Sequence, residues 1–278
     1  MKLIKLTVIS LCLALWPINL FLANTLPGFL SYIVPALLFL LSFFLYKKYP
    51  KYYLLPILFI GIFEKKLLLL PVVFYGLEMI MGFDRKKLVL FMVSLVLLVV
   101  YFPSFRGQTV FTRDYQAEQL VLRNIELYPD VITARIFQNK PRIYINKLSD
   151  NFFALTDLNN YFFGLHPRPI VIDNQNLFKM PFVAIVFFLY GAFYISRSKD
   201  KKFILISIAS CLVSLTLLKN FDRNDFVLWL PISLIIIYGI NRLSLKNQKL
   251  FNIISVIFIF FAIPEVIRGF AWKNLLKI

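Results

Sequence analysis

Side chains able to do chemistry are sparse in this chain, and they sit in short polar breaks between long apolar runs. Asp222 and Asp225, in FDRND, stand three residues apart in a tight turn. Carboxylates at that spacing suit a cation or the hydroxyls of a sugar, and they equally suit capping of the loop's own amides. His166, the one histidine, stands in LHPRP beside Arg168. Its imidazole titrates near neutral pH and is therefore a candidate general acid or base. Asp114, Glu118, Asp157 and Asp173 complete the candidate acids of the polar segments. The catalytic candidates carried forward are Asp114, Asp222, Asp225 and His166.

No metal site and no cofactor is expected. One histidine cannot build a usual zinc site, and the two cysteines, Cys12 and Cys211, both lie inside apolar runs. A phosphate-binding glycine loop, a nucleophile elbow and a dinucleotide fingerprint are all missing from the sequence.

The elements that must position these residues follow from composition. Of 278 residues, 60% are hydrophobic and 31 are Phe. That is more apolar surface than one water-soluble core hides, so the expected solvent for much of the chain is lipid. Runs with spanning potential cover 6–23, 29–46, 88–102, 180–196, 203–218, 226–241 and 250–267. The expected fold is an all-α polytopic membrane protein with about seven spanning helices. The first run is expected to remain as a helix and not to be removed as a signal peptide, because its apolar stretch is long enough to span.

The net charge of +17 does not point to nucleic acid, because about half of the Lys and Arg fall in five short gaps between runs. These gaps hold Lys2 and Lys5; Lys47, Lys48 and Lys51; Arg85, Lys86 and Lys87; Arg197 to Lys202; and Arg242, Lys246 and Lys249. Basic loops stay on the cytoplasmic side during insertion. A cytoplasmic amino terminus and an extracytoplasmic segment 103–178 follow, in a cell-membrane protein.

The stretch LLPILFIGIFEKKLLLLPVVFYG decides whether all five gaps agree. As one helix, 52–82 measures about 46 Å with Glu64, Lys65 and Lys66 near its middle, and it puts the KKYPK and DRKK loops on opposite sides. Two arms, 52–63 and 67–82, form a short re-entrant hairpin and leave both loops on one side. Pro56 and Pro71 within the arms each free a carbonyl that needs a partner. The chain thus divides into a membrane region 1–102, an outer, mainly helical domain 103–178, and a second membrane region 179–278. The side of the tail RGFAWKNLLKI is left open, with an amphipathic segment on the membrane surface as one outcome.

Within the outer domain, a helix is expected from Thr112 to Tyr128 and another begins at Asp130. The clearest runs from Asn139, as cap, through Pro141 in the first turn to a reversal at Gly164. Ile145, Leu148, Phe152, Leu155, Leu158 and Phe162 form its apolar stripe, widened by Phe153, Tyr161 and Phe163. Phe152, Phe153, Tyr161, Phe163 and Arg168 are the candidate binding residues. Pro167 and Pro169 then impose an extended path into IVID.

The function expected is non-catalytic: an outer helical domain that binds or positions a cell-envelope partner, either protein or glycolipid. The alternative is an enzyme of envelope lipid or glycan transfer, its site between the domain and FDRND. The first outer loop, ANTLPG, lacks the acid that polytopic glycosyltransferases using lipid-linked sugars place there, so no resemblance to that family is drawn. A transporter of a neutral or lipid substrate stands third, since Glu78 and Asn19 are essentially the polar groups inside the runs.

Overall fold

The computed structural model describes residues 2–21, 26–113, 115–127, 130, 132–133, 139–162, 171–172, 175–176 and 180–275. Its helices are α1 (Lys2–Phe21), α2 (Leu26–Lys48), α3 (Leu55–Phe63), α4 (Leu69–Ile80), α5 (Arg85–Val100) and α6 (Phe102–Arg106). They continue as α7 (Tyr115–Glu126), α8 (Lys140–Thr156), α9 (Asn159–Phe162), α10 (Ala184–Ile195), α11 (Lys201–Thr216), α12 (Trp229–Lys246) and α13 (Gln248–Leu275). Short 3-10 turns cover Lys65–Leu67 and Asp222–Leu228. Extended pairing among the described residues is a two-residue antiparallel ladder, β1 (Val171–Ile172) with β2 (Gln175–Asn176), and one isolated bridge between Thr109 and Leu218. The fold class is all-α.

Stretch 52–82 is two arms. Glu64 leaves helical geometry and its carboxylate accepts from Lys66 N, 3.1 Å away, so charge sits at the turn where backbone amides need a partner. The arms fold back on each other: the Tyr75 hydroxyl donates to Leu54 O at 2.8 Å. Gly61 permits the close approach, since a Cβ there would lie 3.1 Å from Leu68 Cα. The Lys65 ammonium stands 5.5 Å from the centre of the Tyr101 ring, so the tip reaches the carboxyl-terminal end of α5.

The basic gaps meet at the opposite end, where α5 and α11 begin. Lys87 and Lys202 pair with Glu78 at 3.0 and 2.8 Å, Lys47 with Asp200 at 3.1 Å, and Lys246 donates to the Tyr194 hydroxyl at 2.7 Å. The Tyr238 hydroxyl also donates to the Asp200 carboxylate. Four of the five gaps are thereby cross-linked at one end of the bundle, here called the basic end.

At the other, far end, Thr109 bridges Leu218 and Lys219 N donates to Gln108 O at 2.7 Å. Asn151 of α8 caps the same turn, its amide donating to Thr216 O and Leu218 O at 3.1 and 2.7 Å. Residues 103–113 and helix α8 are thus stitched onto the far end of the helices.

Between the two ends the interior holds large apolar side chains, such as Phe39, Phe74, Phe187 and Phe203, together with small polar ones, and further large apolar side chains face outward. Helix α5 buries Ser94 while Val89, Met92, Val93, Val96, Val99 and Val100 face outward. Helix α11 turns Ser207, Ser210, Cys211 and Ser214 inward, and each of its three serine hydroxyls back-bonds to the carbonyl four residues earlier. The most enclosed helix is α12. It runs parallel to α10, and both pass close enough that a Cβ at Gly191 would lie 2.9 Å from Gly239 N and collide with Ile235 O. Small residues at the contact and large apolar ones outside are the pattern by which helices associate in a lipid solvent.

Among the described residues, Asn224–Lys246 is the one helix long and apolar enough to cross a membrane, and 78% of that window is buried inside the protein. Leu3–Leu13, Ala184–Ile195 and Gln248–Pro264 are shorter apolar helices.

Three expectations are corrected. Pro56 and Pro71 both fall in the first turn of their helices, where the amide has no intrahelical acceptor, so neither costs a helix hydrogen bond. Helix α7 begins at Tyr115, not Thr112, because the Thr112 hydroxyl turns back to donate to Arg106 O at 2.9 Å. The long helix expected from Asn139 to Gly164 breaks at Asp157, whose Oδ1 accepts from Asn159 N at 2.9 Å and starts α9. Asn139 does cap, accepting from Arg142 N at 3.0 Å, with Pro141 in the first turn. Gly164 lies outside the described residues, and α13 continues as helix through much of the expected surface tail.

Candidate functional site

The far end carries a polar pocket of about 580 Å³ between α6, α7 and α8. Its walls are Arg106, Phe111, Arg113, Glu118 and Tyr144, with Gly107 at its edge. Local folding explains the arrangement. Helix α6 is a single turn started by Pro103, and Arg106 O then accepts from both Thr109 and Thr112 hydroxyls at 2.9 Å. This doubles the chain back, so that Arg106 and Arg113, seven residues apart, face one space. The Phe111 and Tyr144 rings, centroids 5.6 Å apart, tie this loop to α8.

Electrostatically the pocket is biased to anions. Arg113 is oriented by Glu118, through Nε at 3.1–3.2 Å and Nη2 at 3.0 Å, and lies 4.5 Å above the Tyr115 ring. The carboxylate keeps the Arg113 guanidinium above its ordinary pKa, so it is permanently charged. Arg106 is exposed and enters no ion pair among the described residues. Among the described lining residues, two guanidiniums stand against one carboxylate.

Of the residues singled out by sequence, Phe152 and Phe153 are exposed neighbours on α8, with ring centroids 5.8 Å apart. Tyr161 does not share their face. It is buried after the break at Asp157, its hydroxyl donating to Leu155 O at 2.7 Å and its carbonyl accepting from Met180 N at 3.0 Å. A stripe projected along an unbroken helix misplaces it. Leu155 and Phe162 are also buried, while Ile145 is 60% exposed, so the stripe changes face along its length. Asp225 is half-buried in the 3-10 turn Asp222–Leu228. Phe163, His166, Arg168 and Asp114, and the side chain of Asp222, lie outside the described residues. No group of three metal-binding side chains occurs among the described residues.

Below α8 and α9, an apolar cavity of about 140 Å³ separates Leu155 and Phe162 from Phe188, Leu212 and Ile232. It has the size of a few methylene groups, and its described lining is mostly apolar, with Thr156 and Tyr161 among it.

Glu78 is the functional-looking group that hydropathy singled out, and its surroundings explain it. It is fully buried, and its Oε2 receives both Lys87 and Lys202. Lys87 Nζ also donates to Glu78 O and Gly82 O at 3.1 and 2.9 Å, which caps the carboxyl end of α4. The cluster ties the hairpin to α5 and α11.

The pocket residues Arg106, Phe111, Arg113 and Tyr144 were not reached from the sequence. The readable signal was RGQTVFTR, two arginines seven residues apart just past an apolar run. Comparison of the chain with protein-family models, curated proteins and solved structures finds no match.

Proposed function

We propose that the chain is a multi-pass integral membrane protein of the cell envelope whose far-end segment, residues 103–178, lies outside the membrane and binds an envelope partner at its surface. One observation carries the reading: helices α2, α5, α10, α11 and α13 present large apolar side chains outward, while Ser42, Ser94, Gly191, Ser207, Ser210, Ser214 and Ser255 face in. Water would make such a surface aggregate; lipid makes it the ordinary state. Charge supports the orientation, since four basic gaps gather at one end and that end is the cytoplasmic one under the bias of Lys and Arg loops. Helices shorter than a full span, such as the two arms of the hairpin, are accommodated by burial against longer neighbours. About seven crossings with a hairpin between the second and third is the count this reading adopts.

Binding in place of catalysis is favoured by what the far end offers: an open anion-biased pocket and the exposed Phe152 and Phe153 pair. The test is a topology map joined to alkaline extraction of membranes. Reporters fused at Asn124 and Lys201 should report outside and inside respectively, and carbonate should leave the protein in the pellet. A cytosolic signal from Asn124, or release by carbonate, refutes the reading.

A further inference from the structure

We propose that the Arg106–Arg113 pocket takes the phosphate-bearing headgroup of an anionic lipid, with the acyl chains lying along α5. This rests on the membrane reading above and names the partner's chemistry. Three observations converge on it.

The first is charge. Arg106 is exposed and enters no ion pair among the described residues, while Arg113 is held in place by Glu118. A guanidinium presents paired donors that match two phosphate oxygens, and one already fixed in orientation loses little freedom on binding. The second is size. About 580 Å³ falls within the range of small-molecule sites and holds a phosphate with a polyol or one sugar ring; Phe111 and Tyr144 supply faces for its carbon skeleton. The third is position. Pro103, in the pocket wall, follows directly on the outward-facing Val99, Val100 and Phe102 at the end of α5. A ligand seated on the arginines therefore has an apolar surface at its foot, which a soluble phosphate compound does not need and a lipid does.

The experiment uses the full chain in nanodiscs of phosphatidylcholine alone or mixed with phosphatidylglycerol, with retained lipid read by native mass spectrometry after release into detergent. Phosphatidylglycerol should be retained over phosphatidylcholine by about tenfold, the worth of one charge-assisted contact pair. Arg106→Gln should remove most of that preference, and the double variant R106Q/R113Q all of it. Arg85→Gln with Lys86→Gln, at the basic end, should leave it unchanged. Because Arg106 is exposed, its variant should keep the parent's unfolding midpoint, which separates lost binding from lost fold.

Equal retention of both lipids overturns the proposal, and so does a preference that survives the double variant. Displacement of the retained lipid by inorganic phosphate or glycerol 3-phosphate also overturns it, in favour of a soluble phosphate ligand. Gly107→Cys supplies the separate check on the membrane reading. A Cβ there meets nothing within 4 Å, and the native Cys12 and Cys211 are buried. Labelling of intact cells by an impermeant maleimide shows the pocket outside. Failure to label, with labelling after lysis, overturns the topology itself; labelling without lipid preference overturns the lipid assignment alone.

Discussion

Replacing Glu78 by Ala tests whether the one acid buried within the apolar stretch 67–82 is a clamp. Both lysines lose their counter-charge at once. Breaking a buried pair by removing one partner costs about 3–5 kcal/mol. Two features move this case to the lower end. Lys87 keeps two backbone acceptors, Glu78 O and Gly82 O, and Lys202 is 35% exposed, so it rehydrates. The expected loss is about 3 kcal/mol, which corresponds to roughly 8 °C in Tm at about 2–4 °C per kcal/mol for a chain of this size. Lys202→Met should cost less than Glu78→Ala, because Lys87 still pairs with the buried carboxylate. The triple variant E78L/K87M/K202M should recover most of the loss, because replacing a whole buried cluster by apolar side chains removes the desolvation penalty together with the attraction. Scanning fluorimetry of the purified protein in one detergent reads all of these. A Tm for Glu78→Ala within about 2 °C of the parent refutes the clamp. A triple variant no better than the single shows that the carboxylate has a role beyond neutralising its two lysines.

Three further outcomes follow from the geometry. Gly191→Ala or Gly239→Ala drives a methyl into the facing helix backbone, so either should cost about 3 kcal/mol by the same assay, whereas Gly107→Ala should be neutral. Phe152→Ala with Phe153→Ala should change stability little, since both are exposed, while reducing capture of the envelope partner; Ala at Asp114, Asp222, Asp225 and His166 should be tolerated, and loss of function at normal protein level in that set would favour the enzyme. Asp130 accepts from Thr133 N and its hydroxyl, both at 2.8 Å, and those bonds hold its pKa below the usual 3.8. The cap's contribution is therefore complete above pH 3.8 and is lost as the pH falls through the lowered value. The protection factor of the Thr133 amide, its intrinsic exchange rate at each pH divided by the observed one, should stay flat down to that point and then fall; a fall already between pH 5 and 7 contradicts the cap.

The sequence by itself determined what depends on neighbours along the chain. Apolar run length and the Glu64–Lys66 interruption specify the helices and the two-arm hairpin, because a charged tripeptide breaks burial wherever it falls. Asn139 with Pro141 marks a helix start for the same local reason. Only the tertiary structure decided which side chains meet. Lys202 reaches Glu78 from far along the chain, and Arg106 comes to face Arg113 because two threonine hydroxyls converge on one carbonyl. The break at Asp157 likewise turned Tyr161 inward, against its place in the projected stripe. Periodicity carries information about a face only as long as the helix axis persists, and charge pattern tells at which end a residue lies but not its partner. Those remaining choices are made by packing, through contacts between residues distant in sequence.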